Sequence, residues 1–453
     1  MGEESKNEKK SFIKEKIVRK TEAGKGFRNV IKIIAGAILF GVIAAGVFVL
    51  SRPTAEKLLG SEPESTTAEV VTIPRDENME TAAETETEPE TEIIIEETSE
   101  AASETEPTDE AETEEMESTE AIEDVVAGAM GNYQYTIEDL NDIWKNLAVL
   151  CNSVDSSVVT ILPEDDDSEL FSPDDEREYS GIAIAETYNE TLILTLAEAA
   201  DNGDDITVVW SNGNFQPGYI KQTDKITGLG IISVKKSEMT ETIKGLVKPV
   251  PLGNSYAVTR GDLLVAMGSP RSVVHSTDYA WTSYIEKNAY AVDGTSRTIY
   301  INNYLDNTKG TWVLNVNGEL VGWSDKNNSG NIVTGISDYK SLIERMSNSR
   351  EFPYLGVVPS SIPEEIQKAG PSRVPKGAYV LEVINEAPAY EAGVLPGDII
   401  TGINDEEIHN AGEYSTVMDG LNAGDEISIV VQREARGEYR KLDYTVTVGN
   451  RNE

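Results

Sequence analysis

The stretch Glu391-Ala392-Gly393-Val394-Leu395-Pro396-Gly397-Asp398-Ile399-Ile400-Thr401-Gly402-Ile403-Asn404 decides how the C-terminal region is read. Glycine, proline and aspartate stand at fixed offsets before an apolar run, which is a pattern with a mechanism and not only a composition. Asn404–Asp405 behind it suits a tight turn. Upstream, Gly377–Val383 reads as a strand, and Tyr354-Leu355-Gly356-Val357 precedes it. Downstream, a helix begins after Ala411 with Tyr414, Val417, Met418 and Leu421 at its apolar positions. Together these pieces make one α+β unit over residues 352–450.

This order of motifs resembles the PDZ domains of the HtrA family. Ala387-Pro388-Ala389 through Asn404 is similar to that family's S-P-A-x-x-A-G-L-x-x-G-D-I-I-x-x-I-N-G. The resemblance implies that Tyr354, Leu355, Gly356 and Val357 form a carboxylate-binding loop. A peptide C-terminus would pair there as an added strand, its carboxylate held by backbone N–H groups near Gly356. Glycine permits that close approach. Met418 and Leu421 are candidates for the other wall of the groove and equally candidates for the core.

Working further upstream, short β-like runs follow one another between turn residues: 156–162, 181–185, 191–195, 205–210, 228–234 and 262–270. Many short strands at such spacing predict an all-β barrel or sandwich. Ile137 to Cys151 precedes them with Leu140, Ile143, Trp144, Leu147 and Leu150 at helical spacing. Over roughly residues 138–450 the order of local motifs resembles the HtrA/DegP family of trypsin-like serine proteases. Ser156–Ile161 is similar to that family's P-S-V-V-N-I. Ser180–Ala183 with Ile193–Ala200 is similar to its G-S-G-x-I-I and G-Y-I-L-T-N-N-H-V-V. Asp224–Val234 is similar to its D-x-x-T-D-L-A-V-L-K-V, and Asn307–Gly322 to its G-N-S-G-G-P-L-L-N-x-x-G-E-V-I-G. The implied fold is mainly β, a trypsin-like double β-barrel over 133–347 followed by the α+β PDZ domain.

That alignment puts Glu198 in the histidine position, Gly228 in the aspartate position and Lys309 in the serine position. Acyl transfer by this fold needs a hydroxyl nucleophile, an imidazole to take its proton and a carboxylate to orient the imidazole. A glutamate, with a reference pKa of about 4.3, is a weak base toward a hydroxyl. The glycine-rich turn that supplies oxyanion N–H groups retains only Gly310. The expectation is therefore a pseudoprotease with no catalytic residue. Glu198 and Lys309, of opposite charge, are expected to pair across the former proton relay. Rescue would have to come from His275 with Ser276 and Asp278, from His409, or from a Thr308–Lys309 dyad; these are the chain's only two histidines and its nearest hydroxyl.

Residues 1–29 carry many Lys and Arg, and Ile33–Leu50 contains no charged residue. Charge asymmetry predicts a basic cytoplasmic tail (1–29), a transmembrane helix (30–51) and folded domains outside, a single-pass protein of the cell membrane. Residues 52–132, rich in Glu, Thr, Ser and Pro, read as an acidic disordered linker. The net charge of −42 argues against nucleic acid. The single Cys151 excludes an intrachain disulfide and a cysteine-based zinc site, and reads as a buried hydrophobe. No metal and no cofactor is expected. The resemblance implies peptide or protein C-termini as partners and a homo- or hetero-trimer. The function it suggests is peptide reading in envelope protein quality control or scaffolding. The alternative is an active HtrA-like endopeptidase with a rearranged site.

Overall fold

The computed structural model describes residues 70–77, 134–164, 178–201, 205–324, 326–368 and 374–452. The expected tail and membrane helix lie outside them. Among the described residues no helix is long and apolar enough to cross a membrane.

The first folded element is helix α1 (Ile137–Asp155). Thr136 caps it reciprocally: its hydroxyl accepts from Asp139 N at 3.3 Å, and the Asp139 carboxylate accepts from Thr136 N at 2.7 Å. Leu147, Cys151 and Val154 bury themselves, while Leu140, Ile143 and Trp144 stay exposed. Cys151 is the buried hydrophobe expected, its Sγ 3.6 Å from the Tyr279 hydroxyl.

Strands β1 (Val158–Glu164), β2 (Tyr179–Glu186), β3 (Glu190–Leu196), β4 (Asp205–Trp210), β5 (Phe215–Asp224) and β6 (Leu229–Lys235) close into an antiparallel barrel in the order β1-β2-β3-β6-β5-β4. The short helix α2 (Ala197–Asp201) follows β3, and α3 (Glu241–Leu246) follows β6. A second barrel, β10-β11-β12-β9-β8-β7, uses β7 (Leu263–Gly268), β8 (Ser276–Ala291), β9 (Gly294–Ile301), β10 (Thr311–Leu314), β11 (Leu320–Trp323) and β12 (Ile332–Gly335). Period-2 alternation sorts their side chains. Ile193 fills the first barrel, whereas Leu192 and Leu194 on the same strand join Val265, Met267, Trp312 and Trp323 in the layer between the barrels. Sequence runs that read as continuously apolar are strands buried on both faces.

Helix α4 (Lys340–Ser347) follows the second barrel in the chain and packs against β5 and β6 of the first. Against it lies part of the segment expected to be a solvated linker. Val71 N donates to Asn348 Oδ1 at 2.9 Å and Ile73 N to Glu344 Oε2 at 2.8 Å. Asp76 pairs at 2.7 Å with the ammonium of Lys340, which is buried. Residues 70–77 therefore correct the linker reading at this point. Val71, Ile73 and Asp76 each have a specific partner, and a buried lysine cannot go unpaired cheaply.

The C-terminal sheet runs β14 (Val357–Ser361), β15 (Ala378–Val383), β16 (Ile399–Ile403), β18 (Glu426–Ala435), β19 (Glu438–Thr447), with β17 (Glu406–Glu407) beside β16. Before it, β13 (Pro353–Tyr354) pairs with β20 (Gly449–Asn450). Helices α5 (Glu364–Lys368), α6 (Pro388–Ala392) and α7 (Ala411–Gly420) complete the unit. Gly393, with φ +95°, ends α6 in the left-handed conformation that glycine adopts without strain. Asp398, almost fully buried, accepts both Nε (2.6 Å) and an NH2 (2.7 Å) of Arg433 and also Leu395 N at 2.9 Å. The glycine–aspartate pair of the diagnostic stretch is thus a turn plus an anchor.

Candidate functional site

Between the barrels, three chain segments meet at the positions assigned by resemblance. Glu198 stands on α2, directly after β3. Gly228, at φ +68°, forms the turn into β6. Ala197 N donates to Gly228 O at 2.8 Å and fixes these two segments together. The third segment is pinned by Ser180 on β2. Ser180 N donates to Lys309 O at 2.6 Å, its carbonyl accepts from Thr195 Oγ1 at 3.1 Å, and its hydroxyl accepts from the buried Trp312 Nε1 at 3.0 Å. Gly310 follows at φ +93°, where a Cβ would come within 2.7 Å of Ser180 O, so only glycine fits. The backbone of a two-barrel cleft is therefore intact around side chains of a different kind.

Asp306 freezes the loop that carries Lys309. Its Oδ1 accepts from Thr308 N (2.9 Å) and Thr308 Oγ1 (2.7 Å), and its Oδ2 accepts from Ser272 Oγ at 2.7 Å. Burial alone would raise this carboxyl, but the Ser272 hydroxyl and the Thr308 N–H and hydroxyl outweigh it and hold it below its ordinary value. The Thr308 hydroxyl is thereby spent on Asp306 and not offered to Lys309.

The expected Glu198–Lys309 pair is replaced. Glu198 takes the ammonium of Lys326, from the loop after β11, as its ion-pair partner. Both side chains are about half exposed, at 44% and 50%. Around them lies a depression of about 200 Å³, lined by Leu196, Ala197, Glu198, Lys225, Thr227, Gly228, Lys326 and Asn327. Asp224 does not supply a substitute carboxylate there. It is buried, with Oδ2 accepting from Thr227 N (2.9 Å) and Thr227 Oγ1 (2.6 Å) and Oδ1 facing Arg451 Nε at 2.9 Å.

Neither imidazole joins these positions. His275 Nδ1 lies 2.8 Å from Asp155 Oδ1 at the end of α1, while Asp278 binds Asn303 and Arg271. The Ser276 hydroxyl accepts from Arg271 N at 3.3 Å. His409 Nδ1 lies 2.8 Å from Glu413 Oε2. His275 stands in the turn before β8, at φ +64°, and it, Ser276 and Asp278 each take different partners. Among the described residues no cluster of His, Cys, Asp or Glu could hold a metal ion.

The second concave site is the loop before β14. Gly356 has φ +76°, and a Cβ there would run into Ala387 Cβ. In this conformation the N–H groups of Leu355, Gly356 and Val357 converge on one carboxylate, that of Asp293. Oδ2 accepts from Leu355 N at 2.9 Å and Gly356 N at 3.0 Å, and Oδ1 accepts from Val357 N at 3.0 Å and from the buried Tyr414 hydroxyl at 3.1 Å. Asp293 itself belongs to the two-residue turn between β8 and β9 of the second barrel. Burial pushes its carboxyl above the ordinary value, and the three N–H groups pull it back in part. Burial against Asp293 likewise raises the Tyr414 hydroxyl. Tyr354 is half-buried on β13; Met418 belongs to the core of the C-terminal unit and also lines the adjoining cleft of about 800 Å³; Leu421 is in that core. Asp293 and Lys326 were missed in the sequence. The Asp293–Gly294 pair after an alternating run signals a turn, but nothing local says where the turn docks.

The family described as PDZ domain matches residues 353–446. Among curated proteins, the chain is similar to the mitochondrial serine protease HTRA2 of Drosophila willistoni, at 28% identity over 277 residues, 53% of this chain and 59% of that protein. It is similar to the periplasmic serine endoprotease DegP of Salmonella typhimurium, at 23% identity over 54% of this chain and 52% of that protein. It is also similar to the serine protease Do-like HtrB of Bacillus subtilis, at 22% identity over 59% of this chain and 62% of that protein. The chain thus spans just over half to three-fifths of the length of these relatives. Among solved structures, the HtrA-type protease AlgW with tripeptide is similar at 19% identity with a TM-score of 0.48, covering 67% of this chain and 97% of that one.

Proposed function

We propose that this chain, an HtrA-like trypsin-fold protein with a C-terminal PDZ domain, works as a membrane-anchored pseudoprotease that reads exposed peptide C-termini and cleaves nothing. The observation that carries the reading is the side-chain set of the cleft. Glu198 is tied to Lys326, Gly228 has no side chain, Lys309 stands in the nucleophile position, and both imidazoles are bound to carboxylates elsewhere. No group in the set can accept a hydroxyl proton and return it to a leaving amine, which is the step the fold's chemistry requires. Loss of such a group of residues costs on the order of 10⁶ in turnover.

The PDZ loop supports the binding half of the reading. Three convergent N–H groups are a receptor for a carboxylate, and β14 is the terminal strand of its sheet, the place where a strand would add. The anchor rests on the apolar, uncharged run Ile33–Leu50 behind a basic flank. Relatives named as proteases motivate envelope quality control as the setting, and a trimer as the assembly.

The full chain, incubated with unfolded casein and with a fluorophosphonate probe, should show neither cleavage nor labelling above background. Lys309→Ser alone should leave both at background, because the restored hydroxyl still has no base. Cleavage or labelling by the unaltered chain that survives repurification would overturn the pseudoprotease reading in favour of an endopeptidase with a rearranged site.

A further inference from the structure

We propose that the carboxylate-binding loop of the PDZ domain carries a resident ligand from within the chain: the Asp293 side chain stands in for a peptide's terminal carboxylate, and an external C-terminus binds only by displacing it. This rests on the peptide-reading function proposed above and adds what controls it.

The first argument is the count of donors. A carboxylate has about four acceptor sites. Leu355 N, Gly356 N, Val357 N and the Tyr414 hydroxyl, all within 2.9–3.1 Å, supply four donors to Asp293. Saturation by a nest of successive N–H groups is how an anion is received.

The second argument is main-chain pairing. Asp293 N donates to Val357 O at 2.6 Å. That is the backbone bond an incoming strand would make to β14, whose pairing within its own sheet is to β15 alone. The opposite wall is engaged as well: Thr295 N donates to Ser415 Oγ on α7 at 3.2 Å, and a Cβ added at the buried Gly294 would lie 3.2 Å from the same oxygen. The turn of the β8–β9 hairpin therefore touches both β14 and α7, the two elements that border a peptide groove in this fold.

The third argument is that the contact can be reversed. Burial raises the Asp293 carboxyl while the three N–H donors lower it, so the contact carries a desolvation cost that release of the side chain to water would remove. What keeps it there is tethering, since a covalently attached ligand acts at an effective concentration of about millimolar for short flexible links. A free terminus that also buries an apolar side chain can compete with that. The hairpin then couples occupancy of the PDZ loop to the position of the second barrel.

The test uses the full chain, Asp293→Gly and Asp293→Asn. Glycine suits the φ of +58° at this turn and deletes the carboxylate, while asparagine keeps shape and turn preference but not charge. Two quantities are read: hydrogen exchange at 355–357 without peptide, and anisotropy of a fluorescein-labelled decapeptide ending Ala-Ala-Leu, as the free acid and as the amide. Asp293→Gly should exchange at least tenfold faster at 355–357 and bind the acid at least tenfold more tightly than the unaltered chain does, with Asp293→Asn between them and the amide unaffected. Equal exchange in all three proteins, or faster exchange with equal peptide affinity, would overturn the proposal. Faster exchange in Asp293→Gly with no peptide bound by any protein would uphold Asp293 as the occupant and overturn the peptide-reading function instead.

Discussion

In the cleft between the barrels, the segments bearing Glu198, Gly228 and Lys309 are held in place by backbone bonds such as Ala197 N to Gly228 O and Ser180 N to Lys309 O, whatever side chains they carry. In the PDZ loop, the functional groups are themselves backbone, the N–H groups of Leu355, Gly356 and Val357. The difference teaches how each kind of site can be lost. A site built from side chains is erased by substitution while its frame persists. A site built from main-chain donors survives substitution as long as the turn survives, so it can be silenced only by being occupied. This chain carries one of each, on the readings proposed for them.

The two sites also rest on interactions of unequal strength, and substitutions can break or sharpen that contrast. The largest effect should come from Asp398→Ala in the PDZ frame. It strips Arg433 of a bidentate partner and frees Leu395 N, and removing one partner of a buried pair costs about 3–5 kcal/mol. Because Arg433 is 30% exposed, a loss of about 2–3 kcal/mol is expected, read as a fall in thermal midpoint of the C-terminal unit. A loss no larger than that of an exposed pair would remove the contrast.

Asp306→Ala tests the frame of the cleft between the barrels. Removing a carboxylate that accepts from Thr308 and Ser272 should cost about 1 kcal/mol at pH 7. The folded-state carboxyl lies below its unfolded value, so its contribution is full above about pH 4 and fades as pH falls through the folded value. Unfolding midpoints of the two proteins should therefore converge at acid pH. A gap that widens on acidification would contradict the assigned hydrogen bonds.

The smallest effect should be that of Glu198→Gln. A half-exposed ion pair with Lys326 is worth about 0.5 kcal/mol or less, and salt screens it. Denaturant midpoints within error of each other at moderate salt are expected. A loss above about 1.5 kcal/mol would mean that the pair is structural and that the cleft has been rebuilt around it.

The PDZ unit was the most legible part of the fold, because its signals are local. Gly393 and Gly397, at φ +95° and +94°, and the Asp398 anchor all lie within the quoted stretch. The barrels were legible as many short strands, and the alternation in Leu192-Ile193-Leu194 explains why those strands read as apolar throughout. The partner of Glu198 was not legible. Lys326 is 128 residues away on a loop whose path depends on the second barrel. The docking of 70–77 was missed because the apolar run Val70-Val71-Thr72-Ile73 is short and set in an acidic segment. Asp293 could be read as a turn residue and no further.

By itself, the sequence determined which residues can bend backward at glycine, which strands can be buried on both faces, and which residue types stand at the cleft positions. Those properties belong to single residues or to neighbours along the chain. Tertiary structure alone decided that Lys326 meets Glu198, that Asp76 meets Lys340, and that a barrel hairpin delivers Asp293 to three N–H groups more than sixty residues away. Hydrogen bonds and ion pairs act over a few ångströms, so their partners are set by where the packed elements place them and not by separation along the chain.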